Sequence, residues 1–147
     1  MKDKDKPVVI EQTFEVSIDR LWKALTELKQ MRLWFFENIE AFEPNVGFET
    51  RFIVENESRV FPHLWRITEV EPGKRITYNW KYEGYAGNSF VTFELSGGDD
   101  CSKLTLTHQI TESFPQDIPE FRRESCEEGW KWFIKQRLKD YLAANNS

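Results

Sequence analysis

The chain opens on a half-buried strand. In Val8–Val16, VVIEQTFEV, the apolar positions Ile10, Phe14 and Val16 share one parity, interrupted by Gln12, while Glu11, Thr13 and Glu15 take the other. Ser17 then offers a helix N-cap, with Arg20 standing where a capping-box acid would be. From Ile18 the spacing turns helical, with Ile18, Leu21, Trp22 and Leu25 forming one stripe. A second short helix is expected over Leu28–Phe35, and Pro44, Asn45 and Gly47 mark the turn that leaves it.

The period then falls to two. Phe48, Thr50, Phe52 and Val54 alternate with Glu49, Arg51 and Ile53, and a further strand is expected over Leu64–Val70, ended by the turn Glu71–Lys74 (EPGK). In ITYNWKY the large residues Ile76, Tyr78, Trp80 and Tyr82 face one way. A turn at Gly84–Gly87 precedes FVTFEL, in which Val91, Phe93 and Leu95 oppose Phe90, Thr92 and Glu94. The turn Gly97–Asp100 leads to a last strand with Leu104, Leu106, His108 and Ile110 on one face. Short strands joined by tight turns predict an antiparallel meander. After a loop holding Pro115, one long helix is expected from Pro119 to Ala143. At about 100° per residue, Cys126, Trp130, Phe133, Ile134, Leu138 and Tyr141 fall on its apolar face. The order is strand, two short helices, about five strands and a long helix. It reads as one domain over residues 1–147, with a disordered tail at residues 1–7.

Composition narrows the function classes. The chain has 147 residues, a net charge of -5 and 31% charged residues. This acidic balance disfavours a phosphate-backbone partner, so no nucleic acid is expected. No segment approaches bilayer length and the charged start MKDKDKP resembles no leader, so the expected address is the cytoplasm, without membrane insertion. Cys101 and Cys126 are too few for a disulfide scaffold. Neither the cysteines nor the histidines have metal-ligand spacing, and no cofactor or metal is expected. Nucleophile elbows and glycine-rich phosphate loops are also missing, and Gly97–Asp100 reads as a hairpin turn. Aromatic content is the unusual quantity: 12 Phe, 6 Trp and 4 Tyr, or 15% of the chain. Rings on that scale fill cores, and they also line ligand sites.

The order of elements, with particular residues, resembles the START-like (SRPBCC) helix-grip superfamily. Within it the chain is similar to the activator of heat shock protein 90 ATPase homologue family, in its C-terminal-type domain. The carrying segments are RLWKALT with Trp22, RLWFF with Trp34 and Phe35, Gly47, Ile67–Trp80, FVTFEL, LTLTH ending in His108, and Gly129–Trp130. The resemblance runs from about Val8 to Leu142. It implies an α+β fold, a curved antiparallel β-sheet wrapped around a long C-terminal helix, with a cavity between them and the two short helices closing one end.

Parity and resemblance together give a set of cavity residues: Trp22, Trp34, Phe52, Trp65, Tyr78, Trp80, Phe93, Leu106, His108, Cys126, Trp130, Phe133 and Arg137. His108 reads as a hydrogen-bonded core histidine, as a polar contact to a ligand, or, third, as an acid–base catalyst. His63, beside Pro62, reads as a loop residue. Arg137 and Arg123 on the last helix must snorkel, pair with a carboxylate, or meet a carboxylate-bearing ligand. Cys126 reads as a small hydrophobe, and Glu127 and Glu128 as a solvated patch near the mouth.

Three functions follow as expectations. The first is non-enzymatic binding of a small lipophilic molecule, oriented by His108 and Arg137. The second is a chaperone-accessory role with a chaperone protein as partner. The third is a cyclase- or hydrolase-type enzyme using His108. Only the C-terminal-type domain of the eukaryotic activator is expected here, which weakens the second. A monomer or weak dimer is expected.

Overall fold

The computed structural model describes residues 6–144. Six strands form one antiparallel sheet: β1 (Val8–Phe14), β2 (Glu49–Asn56), β3 (Arg59–Glu71), β4 (Arg75–Tyr82), β5 (Asn88–Gly97) and β6 (Ser102–Glu112). Their spatial order is β1-β6-β5-β4-β3-β2. The five strands after the helices thus form a hairpin meander, and β1 closes it by pairing with β6. The helices α1 (Ile18–Thr26) and α2 (Leu28–Trp34) connect β1 to β2. The fold is the helix-grip α+β fold, with the curved sheet gripping the C-terminal helix.

Alternation fixes which side of each strand is buried. Tyr78 and Trp80 on β4, Val91, Phe93 and Leu95 on β5, and Leu104, Leu106, His108 and Ile110 on β6 are all buried. Ser17 caps α1 by accepting a hydrogen bond from the Arg20 amide at 3.0 Å, which satisfies one of the orphan donors at the helix start. A hinge residue, Glu27, in extended backbone separates α1 from α2. The first strand is shorter than its apolar run, ending at Phe14 while Val16 is buried beyond it.

Two expectations need correction. His63 is not in a loop: β3 begins at Arg59, and His63 is only 5% exposed, facing inward with Phe61, Trp65 and Ile67. Pro62 lacks a ladder donor, yet its carbonyl still accepts from the Glu83 amide at 3.0 Å, so the strand runs through it. The C-terminal segment is also not one α-helix. A 3-10 turn at Pro119–Phe121 precedes α3 (Arg123–Lys131), then a π-helix covers Trp132–Leu138, and α4 (Lys139–Ala144) ends it.

The sequence explains the π segment. The deeply buried positions are Trp130, Ile134, Leu138 and Leu142, spaced by four. An α-helix overshoots a full turn by about 40° every four residues, so the third such step would carry Leu142 about 120° away from Trp130. The wider i→i+5 winding of a π-helix offsets that drift. The stripe therefore stays on the sheet, and Leu142 replaces the expected Tyr141 as its last deeply buried member.

Residues 1–5 of the expected tail lie outside the described residues. Lys6 and Pro7 carry carbonyls that accept hydrogen bonds from Arg123 Nη1 and Nη2, the latter at 3.4 Å. Among the described residues, no helix is long and apolar enough to cross a membrane.

Candidate functional site

Where α3 meets the concave face, the core is not solid. A cleft of about 140 Å³ has its walls in Trp80 and Tyr82 of β4, His63 of β3 and His108 of β6. The helix contributes Cys126, Gly129, Trp130 and Phe133, and Phe36 closes the side next to α2. Ser125 and Glu120 line it as well. Gly129 is one source of the space: a Cβ built there would meet nothing within 4 Å.

The rings are set edge to face, the geometry their quadrupoles favour. Trp80 and Trp130 lie 5.4 Å apart at 66°, and Phe36 and Phe133 lie 4.9 Å apart at 62°. The Trp80 ring stands between the two histidines, 5.6 Å from His63 and 5.9 Å from His108.

The polar atoms form an ordered chain. Trp130 Nε1–H donates to His108 Nδ1 at 3.0 Å, so Nδ1 carries the lone pair. His108 Nε2 lies 2.9 Å from Ser89 Oγ, whose own hydrogen goes to the Trp80 carbonyl at 2.6 Å. Nε2 is therefore the protonated nitrogen, and both nitrogens of His108 are committed. Cys126 Sγ lies 3.4 Å from the same Nδ1 and competes for its lone pair. Burial pushes the His108 pKa down to about 3 and the Cys126 thiol up to about 12. The pair is thus neutral imidazole and neutral thiol, the opposite of an activated thiolate–imidazolium couple.

His63 differs. Its Nδ1 sits 2.9 Å from the Phe61 carbonyl, which can only accept, so Nδ1 bears the proton. Burial lowers its pKa to about 4. Tyr82 accepts a hydrogen bond from Trp80 Nε1 at 2.9 Å, and burial raises its phenol pKa, so it keeps its proton. At the rim, Glu120 receives Arg59 Nε at 2.8 Å and Asn56 Nδ2 at 2.8 Å, tying the β2–β3 hairpin to the 3-10 turn.

Of the thirteen expected cavity residues, Trp80, His108, Cys126, Trp130 and Phe133 line the cleft. Trp34, Phe52, Trp65, Tyr78, Phe93 and Leu106 are packed into the solid core. Trp22 is half-buried against that core. Arg137 lines a separate groove with Arg32 and Asn38, and its Nη2 donates to the Leu33 carbonyl at 2.9 Å, at the end of α2. Arg123 pairs with Glu127 at 2.9 Å. His63, Tyr82, Phe36, Ser89 and Gly129 are the site residues that sequence reasoning missed. For His63 a signal existed, since it shares parity with Trp65 and Ile67. Among the described residues, no group of three or more His, Cys, Asp or Glu could hold a metal ion.

Comparison with known proteins places this arrangement. No curated protein matches the sequence. Among solved structures, DynU16, a protein in the dynemicin biosynthetic locus, is 24% identical with a TM-score of 0.72, covering 95% of this chain but 48% of its own. This chain thus spans about half the length of DynU16. Mll3558 from Rhizobium loti is 22% identical with a TM-score of 0.77, over 92% of this chain and 96% of that one. The Aha1 dimer from Colwellia psychrerythraea is 16% identical with a TM-score of 0.70, over 96% and 98%. Likeness at these identities establishes the helix-grip fold. The match of residues 15–143 to the family model goes further: the chain belongs to the family of activator of Hsp90 ATPase homolog 1-like proteins.

Proposed function

We propose that this protein binds a small, largely apolar molecule in the cleft between the curved sheet and the C-terminal helix, and does not transform it. The observation that carries this reading is the unfilled, ring-lined cleft at Gly129, floored by Trp80 and flanked by both histidines. Binding would bury apolar ligand surface at roughly 25 cal/mol per Å² before association costs. An apolar wall with a few placed polar groups is the usual makeup of a ligand site. The committed nitrogens of His108 and the unactivated thiol of Cys126 argue against a cyclase- or hydrolase-type role for His108. Two free cysteines suit a reducing compartment such as the cytoplasm.

The test is native mass spectrometry of the purified protein with an amide-shift titration against lipophilic small molecules. A bound mass, or saturable shifts clustered at Trp80, His108 and Trp130, is expected. A clean apo mass with no clustered shifts across a broad library would reject the reading.

A second reading has its own observation: a fold neighbour is an Aha1 dimer. A chaperone-accessory role predicts concentration-dependent stimulation of a chaperone ATPase. Absence of any effect removes it.

A further inference from the structure

The cleft's size and polar inventory narrow the ligand class, given the binding reading above. A cavity of about 150 Å³ accommodates one benzene-sized ring, and this cleft is about 140 Å³. It therefore takes a single six-membered ring, with any remainder of the molecule outside.

The polar atoms available to that ring follow by subtraction. His108 has none to give, because Trp130 and Ser89 hold its two nitrogens. Ser125 Oγ, exposed, gives its hydrogen to the Pro119 carbonyl, and the Glu120 carboxylate at the rim is held by Arg59 and Asn56, so neither has a hydrogen to donate into the cleft. His63 Nδ1 is spent on the Phe61 carbonyl, whereas its Nε2 has no hydrogen-bond partner among the described residues. That nitrogen is a pure acceptor on a side chain 5% exposed. Tyr82 oxygen takes the Trp80 N–H and keeps its own hydrogen, a free donor. The two rings meet edge to face with centroids 4.7 Å apart. An acceptor and a donor therefore lie on two rings in contact, both uncharged.

Charge points the same way. No lysine or arginine lines the cleft, and its one carboxylate is at Glu120. A ligand anion would be desolvated without a counter-charge, which is prohibitive.

We propose that the cleft selects an uncharged ring bearing a hydroxyl group, a phenol, through a paired contact with His63 and Tyr82. The ligand O–H donates to His63 Nε2, and the ligand oxygen accepts from the Tyr82 hydroxyl. A site built to bond a hydroxyl discriminates against the analogue lacking it, because its buried polar atoms are then left unpaired.

The experiment titrates the full chain with phenol, anisole, toluene and benzoate, following amide and indole shifts. Phenol is expected to bind at least about tenfold tighter than anisole, with toluene weaker than phenol and no saturable shifts from benzoate. His63→Phe removes the phenol preference while toluene binding persists. Tyr82→Phe, which keeps the ring, also weakens phenol selectively and serves as a second probe if His63→Phe fails to fold. Equal binding of phenol and anisole, saturable benzoate binding, or a phenol preference surviving both substitutions overturns the proposal while leaving a binding cleft intact. No response to any of the four probes overturns this inference, whereas the binding reading falls only with a clean apo mass and no clustered shifts across the broad library.

Discussion

Two halves of the same concave face are built from the same residue types and behave differently. In one, Trp34 stacks on Phe35 at 4.7 Å and 5°, Phe35 stacks on Trp65 at 5.5 Å, and Phe42 meets Tyr78 edge to face at 5.7 Å. There the rings close on each other and the half is solid. In the other, Trp80, Trp130, Phe36 and Phe133 hold a cleft open. Aromatic abundance is common to both, so it does not decide which half can take a ligand. The difference lies in what stands between the rings. The packed half has apolar neighbours and one buried indole N–H, on Trp65, with no hydrogen-bond partner among the described residues. The cleft half has two histidines, a serine hydroxyl and a glycine, with Ser89, His108 and Trp130 joined in directed bonds and the outer nitrogen of His63 left open.

The contrast is sharpest at Trp65. Trp65→Ala removes a ring 2% exposed and leaves a void among Phe35, Phe52 and Trp80. It should destabilise the fold by about 3–5 kcal/mol in urea unfolding, while any cleft ligand retains its contacts in the surviving folded fraction. His108→Ala should cost about 2–4 kcal/mol, from lost volume plus a Trp130 N–H and a Ser89 hydroxyl stripped of a partner. A cost below about 1 kcal/mol would mean that the polar chain contributes little and the two halves are energetically alike.

Acid separates the halves next. Burial holds the pKa of His63 at about 4 and that of His108 at about 3, both below the ordinary histidine value of about 6.5. Between about pH 6.5 and pH 4 the unfolded chain therefore binds more protons than the folded one, so stability falls as pH is lowered. Each histidine adds at most about 1.4 kcal/mol per pH unit to that slope. His63→Phe should flatten the slope in this window by up to that amount in urea unfolding across pH, and an unchanged slope would count against a buried neutral His63.

The smallest effect tests the glycine. Gly129→Ala should stabilise α3 by about 0.5–1 kcal/mol, because the added methyl meets open space. Gly129→Leu should fill the cleft, leaving the fold intact and abolishing the amide shifts of a bound ligand. A Gly129→Leu protein that still binds would move the site elsewhere.

Much of the fold was legible because alternation is a direct record of which side of a strand is wet. Tyr78, Trp80, Phe93, Leu106 and His108 share the buried face that their parity predicts. The misses have physical causes. Pro62 suggested a strand boundary, yet only one ladder donor is lost there, so His63 went unplaced. Ser89 precedes the apolar run FVTFEL, and a lone serine gives no sign of burial until its partners His108 and Trp80 are known. Treating the last helix at a fixed 100° per residue predicted Tyr141 in the stripe, whereas the spacing of four through Leu142 was the better guide. Which half of the face stays open is set by ring orientation and by the missing Cβ of Gly129, neither of which periodicity records.

The π-helix at Trp132–Leu138 makes chain length itself a constraint. Its winding keeps Trp130 and Leu142, on either side of it, in phase against the sheet. Relaxing the segment to ordinary α winding at full length would turn Leu142 about 120° from Trp130, aiming it away from the core. Deleting one residue as it relaxes leaves a mismatch of only about 20° and keeps the phase. Substitutions on the exposed side, such as at Trp132, leave that phase untouched. The helix thus works as a vernier between two anchorages, read in residue number rather than in side-chain identity.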